Sequence, residues 1–270
     1  MRKEYAAKLS VIFLLTLAAY IPTFIWMFSR WTEAETYYSH SFLVLPISIF
    51  LIWIKRRTLS GLAIQPSASG WLFLGFGLLT HLISALWQVY FSSGFSILPV
   101  LAGIILLFLG KNFLKHLWFP IFFLSFAIPL PLVLISHLSF KLKILASQAA
   151  VAVVSLLGIP ASRAGSIITT RHSYLIVEDP CSGVQSLIAL IALGALMAYL
   201  SRLSRAKKLI LFFSSIPAAI LANAIRITTL TLANEIWGAQ WVGRTFHDIM
   251  GIAVFICAFT ALQILSRALE

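Results

Sequence analysis

Long apolar stretches recur along the chain, separated by short polar segments that carry most of the charged residues. A helix that crosses a bilayer needs roughly 20 mainly apolar residues, so the pattern predicts an all-α integral membrane protein with about eight transmembrane helices. We expect these helices to form one polytopic domain over residues 1–270. The predicted spans cover residues 9–28, 40–54, 70–90, 94–110, 117–135, 181–200, 209–230 and 248–266.

The composition supports a membrane protein and excludes several soluble classes. Hydrophobic residues make up 60% of the chain and charged residues only 10%, whereas soluble proteins carry roughly 25% charged residues. This leaves no room for a large extracellular module or an independent nucleotide-binding domain. The net charge of +12 does not indicate a nucleic-acid partner, because the basic residues lie in short clusters between spans, as membrane topology requires.

The distribution of basic residues predicts that both termini are cytoplasmic. In this orientation most of the 20 lysines and arginines lie on the cytoplasmic side, as the positive-inside rule requires. The rule holds only if the apolar stretch 136–158, which carries Lys141 and Lys143, does not cross the membrane. We therefore predict a small amphipathic or re-entrant helix there, within an outer-face element of about residues 136–180. Alternating apolar residues near its end are compatible with a short β-hairpin.

The first candidate catalytic residue lies where this element meets the predicted catalytic spans, at about residues 181–266. Asp179 is a suitable N-cap and Pro180 a suitable first helical residue, which predicts that Cys181 lies in the first turn of a helix. There the helix dipole and free backbone N–H groups favour a thiolate. Those N–H groups, with Ser182 and Gly183, could also bind a developing oxyanion. The alternative is a packed, inert cysteine, the commoner fate of this residue in apolar surroundings.

Arg226 lies inside the predicted span 209–230, about one turn from its outer end. A charged residue within a span is costly and indicates a functional site by default. The alternative is that the side chain extends to the outer interface to keep its charge in water. Asn223, three residues earlier, shares its helix face, where it could support the guanidinium or bind a neighbouring span.

His247 and Asp248 open the last predicted span, for which Asp248 is a candidate N-cap. With the predicted orientation, Cys181, Arg226 and His247 come from three spans and share one outer depth. A cysteine–histidine pair with a cation that stabilises an electrophile is a minimal set for acyl transfer. Cys257 lies about ten residues into its span, some 15 Å from the outer face at roughly 1.5 Å per residue, and we expect it to fill the core.

Two other functional classes fit parts of this pattern. A transporter could use Arg226 to bind a substrate carboxylate, but it would be expected to show internal repeats and broken helices, and the sequence shows neither. A membrane acyltransferase could use His247 without a thioester. No sequence pattern of metal ligands is present, so neither a metal nor a cofactor is expected.

Three short motifs lie on successive predicted spans: PCSGVQSL at residues 180–187, NAIRI at 223–227 and FHDIMG at 246–251. Together they resemble the exosortase/archaeosortase family of integral-membrane cysteine enzymes, which process C-terminal sorting signals. The likeness extends to YYSHSFLVLPISIFLIW at 37–53 and to residues 128–131 and 158–168. Ser41 and Gln185 depart from the pattern that we expect of the family, and they leave the subfamily open.

The resemblance implies a role for each residue of the candidate triad. Cys181 falls on the family's nucleophile, Arg226 on its essential arginine and His247 on its third catalytic residue. It also implies a plasma-membrane protease or transpeptidase whose site faces the periplasm or exterior. Its substrates would be exported proteins with a short C-terminal motif such as Pro-Glu-Pro, a hydrophobic helix and a basic tail. The acyl acceptor stays unknown.

Overall fold

The computed structural model describes residues 2–33, 36–238, 240 and 242–270, and most of them are helical. The helices that precede residue 130 are α1 (Arg2–Ala19), α2 (Ile21–Thr32), α3 (Ser41–Ile54), α4 (Arg56–Ser60), α5 (Gly70–Leu86), α6 (Tyr90–Phe108) and α7 (Lys111–Phe123). Those that follow are α8 (Leu132–Leu156), α9 (Val184–Leu200), α10 (Arg205–Trp237) and α11 (Arg244–Leu269). The all-α membrane class predicted from the sequence is confirmed, with one small sheet added to it.

Several helices have the length and apolarity of a membrane span. Helices α6, α8 and α10 meet both conditions, as does α11 from Thr245 onward. The last ten residues of α1 form a fifth candidate together with α2, bent by 60° where the two meet. Helices α3, α5 and α9 are apolar but shorter. The count of eight spans and the side of the termini stay predictions.

The helices group into two compact units, Met1–Leu130 and Pro131–Glu270. In the first unit, buried and part-buried polar side chains form hydrogen bonds that link the start of α2 with α5 and α6. Such bonds hold helices together in lipid. The side chains of this network are Tyr20, Thr23, His81, Ser93 and Ser96. The single polytopic domain expected from the sequence stays a prediction.

The predicted span 117–135 is not one helix, and that prediction was wrong. Helix α7 ends in a 3₁₀ turn, after which Ile128 is extended, with ψ 117°. Pro129 and Pro131 explain the break, because the residue before a proline is driven out of the helical conformation. The chain becomes helical again only at α8.

The predicted small outer-face helix over 136–158 is also corrected. Helix α8 is a single run of 25 residues, long and apolar enough to cross a membrane. Its lysine at 143 is tolerated because Nζ donates to the Asp179 carboxylate at 2.8 Å, leaving the side chain 16% exposed. One stripe of α8 packs chiefly against α10. The buried residues of that stripe include Ile135, Ser139, Leu142, Ala146, Ala150 and Val154.

A three-stranded antiparallel sheet follows α8, where the sequence suggested a hairpin. Strands β1 (Ser162–Ala164), β2 (Ile167–Thr169) and β3 (Tyr174–Ile176) pair in the order β1-β2-β3, with Ile168 opposite Leu175. Ile168 is buried against the core of the second unit. At the far end of α10, the Glu235 carboxylate accepts a 2.6 Å hydrogen bond from Thr170, which fixes the β2–β3 turn to that helix. The sheet thus delivers the chain to Asp179 beside α8.

Candidate active site

The structure brings the side chains of Cys181, Arg226 and His247 together. Cys181 Sγ lies 3.0 Å from Nε2 and 3.4 Å from Nδ1 of His247. Arg226 Nη2 lies 3.0 Å from Nδ1 of the same ring and donates to the His247 carbonyl oxygen at 3.2 Å. The three groups belong to three elements of the second unit and are linked by direct contacts, whereas their shared depth in the membrane stays a prediction. Their catalytic roles stay predictions.

The local structure of Cys181 differs from the prediction. Residues Asp179–Cys181 form a 3₁₀ turn, and α9 begins only at Val184, after Gly183 with φ +86°. Asp179 is therefore not the cap of α9, and Cys181 does not lie in its first turn. The N–H of Cys181 donates to Glu178 O at 3.1 Å, and that of Ser182 to Asp179 O at 3.0 Å. These two N–H groups are occupied within the turn and do not form an oxyanion hole in this structure.

Asn223 fixes the turn that carries the cysteine. Its Nδ2 donates to Ser182 O at 2.9 Å, so it supports the thiol segment rather than the guanidinium. A Cβ on Gly183 would lie 2.5 Å from Asn223 Cγ, and the positive φ independently favours glycine. Asn223 Oδ1 is buried without a partner among the residues the structure describes. Ser182, Gly183 and Asn223 thus form one unit behind Cys181.

Asp179 holds the same turn from the other side. Its carboxylate accepts hydrogen bonds from Lys143 Nζ at 2.8 Å and Ser139 Oγ at 2.9 Å, both on α8. These bonds, chiefly the one from Lys143, hold the pKa of the Asp179 carboxyl below its ordinary value of 3.8. Sequence reasoning missed Ser139 and Lys143. A lysine in an apolar stretch was the only signal, and it was interpreted as a sign that the stretch does not span.

Arg226 determines which nitrogen of the His247 ring carries a proton. A guanidinium has donors and no acceptor, so Nδ1 must accept the hydrogen bond from Nη2. The neutral imidazole then carries its proton on Nε2, the nitrogen nearer to Cys181 Sγ. Arg226 Nε is buried and has no partner among the described residues. The site therefore contains a thiol facing an N–H donor, and a cation with one donor left over.

The position predicted for Arg226 relative to the end of its helix needs correction. Helix α10 runs on to Trp237 instead of ending near residue 230, so Arg226 lies about three turns from the helix end at 3.6 residues per turn. Apolar side chains enclose the site at this level, and Cys181 is only 4% exposed. Ile227 and Leu230 on α10 and Val177 before the turn are among the residues packed around it.

Asp248 is not the N-cap of the last helix, and its supporting role stays a prediction. Helix α11 begins at Arg244 with Gly243 in the N-cap position, so His247 lies in its first turn and Asp248 follows inside the helix. Asp248 is exposed, and the structure shows no hydrogen bond from it to the other candidate residues. Cys257 was predicted to fill the core, but its side chain is exposed on α11. In a helix that spans a membrane, this position faces lipid.

A comparison with models of protein families matches residues 31–264 to the family described as transmembrane exosortase (Exosortase_EpsH). The chain belongs to the transmembrane exosortase family. The match includes all of the candidate site, from Cys181 to His247. No curated protein and no solved structure matches the chain.

The exosortase-family match and the apolar helices together identify a multi-pass membrane protein. Across the described residues of this exosortase, no group of three histidine, cysteine, aspartate or glutamate side chains is placed to hold a metal ion. What the site offers is a thiol, an imidazole and a guanidinium in contact. This set suits nucleophilic and proton-transfer chemistry at a carbonyl.

Proposed function

We propose that this exosortase-family chain is a membrane-embedded cysteine protease and transpeptidase acting on C-terminal sorting tails of exported proteins. The observation that carries the proposal is the continuous contact from Cys181 Sγ through the His247 ring to Arg226 Nη2. A nucleophile touching an acid–base group, itself oriented by a third residue, is the arrangement that activated nucleophiles share. Here the third residue is a cation in place of the usual carboxylate.

The first half of the reaction forms a thioester. Nδ1 of His247, the ring nitrogen without a proton, takes the Sγ proton of Cys181, which lies 3.4 Å away. The sulfur attacks the scissile carbonyl carbon, and the carbonyl π electrons move to oxygen. Arg226 stabilises this oxyanion in a site shielded from water, and its unpartnered Nε–H is the donor available for it. As the carbon–nitrogen bond breaks, His247 gives its Nε2 proton to the leaving amine. Arg226 could also stabilise the thiolate or bind a substrate carboxylate.

The second half releases the acyl group to an acceptor. The incoming nucleophile attacks the thioester carbon, and its proton passes to Nε2 of His247. The carbon–sulfur bond breaks, and the leaving Cys181 sulfur takes back the proton held on Nδ1, which restores the thiol and the neutral ring. An amine acceptor would make the reaction a transpeptidation, and water would make it a hydrolysis.

The proposed substrate is a protein held in the bilayer beside the enzyme. Its tail has a short cleavage motif, then a hydrophobic helix, then basic residues that stay on the cytoplasmic side by the positive-inside rule. We place the enzyme in the plasma membrane with Cys181 toward the periplasm or exterior. A cysteine enclosed among apolar side chains suits a peptide that emerges from the lipid next to it.

The test is processing of a tailed reporter protein co-produced with the enzyme. Cys181→Ala should abolish cleavage and His247→Ala should nearly abolish it, whereas Cys257→Ala on the lipid-facing side of α11 should not. Because the residues act as one unit, Cys181→Ala combined with His247→Ala should be no worse than Cys181→Ala alone. The ratio of cut to uncut reporter is measured at equal enzyme abundance.

Two results would contradict the proposal. Full processing by abundant Cys181→Ala protein would exclude Cys181 as the nucleophile, and the same processing in cells without the enzyme would leave the transporter that uses Arg226 as the alternative. Full processing by Cys181→Ser would instead indicate an acyltransferase that relies on His247 without a thioester. We expect Cys181→Ala and Cys181→Ser both to lose processing, and Cys257→Ala to process the reporter normally.

A further inference from the structure

Gly251 lies one turn after His247 on α11 and faces the side chain of Arg226. A Cβ at this position would lie 3.3 Å from both Cζ and Nη2 of Arg226 and 3.6 Å from Nε. A point at the edge of a guanidinium would be closer to two nitrogens than to the carbon. The nearly equal distances therefore place Gly251 over the flat face of the group.

The space at Gly251 matters because Nη2 of the same guanidinium also contacts His247. Nη2 lies 3.0 Å from His247 Nδ1 and 3.2 Å from the His247 carbonyl oxygen. Carbon contacts are most favourable at about 3.5–4.0 Å, so a methyl group on residue 251 would push the guanidinium away by a few tenths of an ångström. That displacement would lengthen the bonds to His247.

We infer that Gly251 is a positioning residue of the proposed active site. Its missing side chain lets the Arg226 guanidinium lie against α11, close enough to donate to His247 Nδ1 and so keep the ring proton on Nε2, facing Cys181. The inference rests on the proposed function for its effect on catalysis, but not for its effect on the histidine ring. Gly251 acts through Arg226 and touches neither the thiol nor the substrate.

The direction of the effect of Gly251→Ala distinguishes this role from an ordinary helix position, because a loss is expected where alanine would normally be favourable or harmless. In a helix interior, alanine is normally more favourable than glycine. Gly75 on α5 is exposed, and a Cβ there would meet no atom within 4 Å. Gly75→Ala is therefore the matched control, and we expect it to be harmless.

The first readout needs no substrate. Nitrogen-15 NMR of the histidine rings, with His247→Gln used to assign the signal, reports which ring nitrogen carries the proton. We expect the Nε2–H form in the unchanged protein and in Gly75→Ala, and a mixture of both forms in Gly251→Ala. An unchanged ring signal in Gly251→Ala would overturn the inference.

The second readout is processing of the tailed reporter. Because small misplacements at a reacting centre have large kinetic effects, Gly251→Ala should lower processing about tenfold. Adding Gly251→Ala to Arg226→Lys should cause no further loss, since lysine has no planar group to displace. Independent losses that multiply in the double variant would overturn the inference. If Gly251→Ala alone accumulates poorly, recovered abundance in the Arg226→Lys background supports the clash, and unrecovered abundance contradicts it.

The two proposals fail in different ways. Wild-type processing by Gly251→Ala, with Cys181→Ala inactive, would overturn only the role of Gly251. Processing by Cys181→Ala would overturn the proposed function, and the ring signals would still decide whether Gly251 positions Arg226.

Discussion

Arg226 uses one hydrogen-bond donor within the protein and leaves another without an acceptor among the described residues. Nη2 orients His247, while Nε is buried without an acceptor among the described residues. A buried donor without a partner costs about 1–3 kcal/mol, and an oxygen of a bound substrate would recover that free energy. Lysine at this position would keep the charge but lose the planar fork of donors. This is why Arg226→Lys is expected to impair the site despite an unchanged charge.

Asp179 provides a pH-dependent test of how the cysteine turn is held. Its pKa is lowered in the folded protein, chiefly by the hydrogen bond from Lys143. A lowered folded-state pKa means that this stabilisation is present above the unfolded value of 3.8 and is lost as pH falls through the folded-state pKa. In thermal unfolding in detergent at neutral pH, the unchanged protein should therefore have a higher melting temperature than Asp179→Asn.

The difference between the two proteins should disappear in acid. It should also be small, because the Asp179 side chain is 63% exposed and water screens the pair. Ser162→Ala, on an exposed strand position outside the turn, is the control and should show no such trend. The ionic contribution would be contradicted if the melting temperatures of Asp179→Asn and the unchanged protein differed by the same amount at neutral and acid pH.

At the scale of elements, apolar runs predicted the helices that carry the site but not their ends. The predicted spans 209–230 and 248–266 are the cores of α10 and α11, which extend further at both ends. Hydropathy detects residues that prefer lipid, whereas a helix continues as long as backbone hydrogen bonds do. The turn at Cys181 could not be predicted, because Gly183 adopts its conformation against Asn223, 40 residues away.

Helix α8 changes how the chain is expected to cross the membrane. If α8 replaces the broken stretch 117–135 as the fifth span, the number of crossings before α9 is unchanged. The connection after α9 then stays on the cytoplasmic side and the β-sheet outside. A reporter at residues 201–208 should be cytoplasmic, and one inserted near Ser166 should be external.

Protease accessibility or reporter activity in intact cells measures both positions. Insertions between Ser201 and Ser204 and near Ser166 avoid the helices and strands, and a reporter after Glu270 is predicted to be on the same side as the one at Ser201–Ser204. The outcome that would contradict this topology is both insertions on one side of the membrane.

For the whole molecule, the candidate site lies entirely within the unit Pro131–Glu270, although the family match covers most of both units. Charge distribution and motif resemblance could single out Cys181, Arg226 and His247. They could not predict that Arg226 contacts the histidine, nor that Lys143 on α8 supports the cysteine turn. Such contacts join residues far apart in the chain, and hydropathy carries no information about them.

The most direct test of a thiol nucleophile is the covalent intermediate itself. The purified enzyme is mixed with a tailed substrate and quenched in acid, and the mass of the peptide that contains Cys181 is measured. We predict a gain equal to the substrate segment preceding the cut, removed by hydroxylamine as expected of a thioester and absent from Cys181→Ala. Cleaved substrate with no adduct on Cys181, or with an adduct on another residue, would contradict the account.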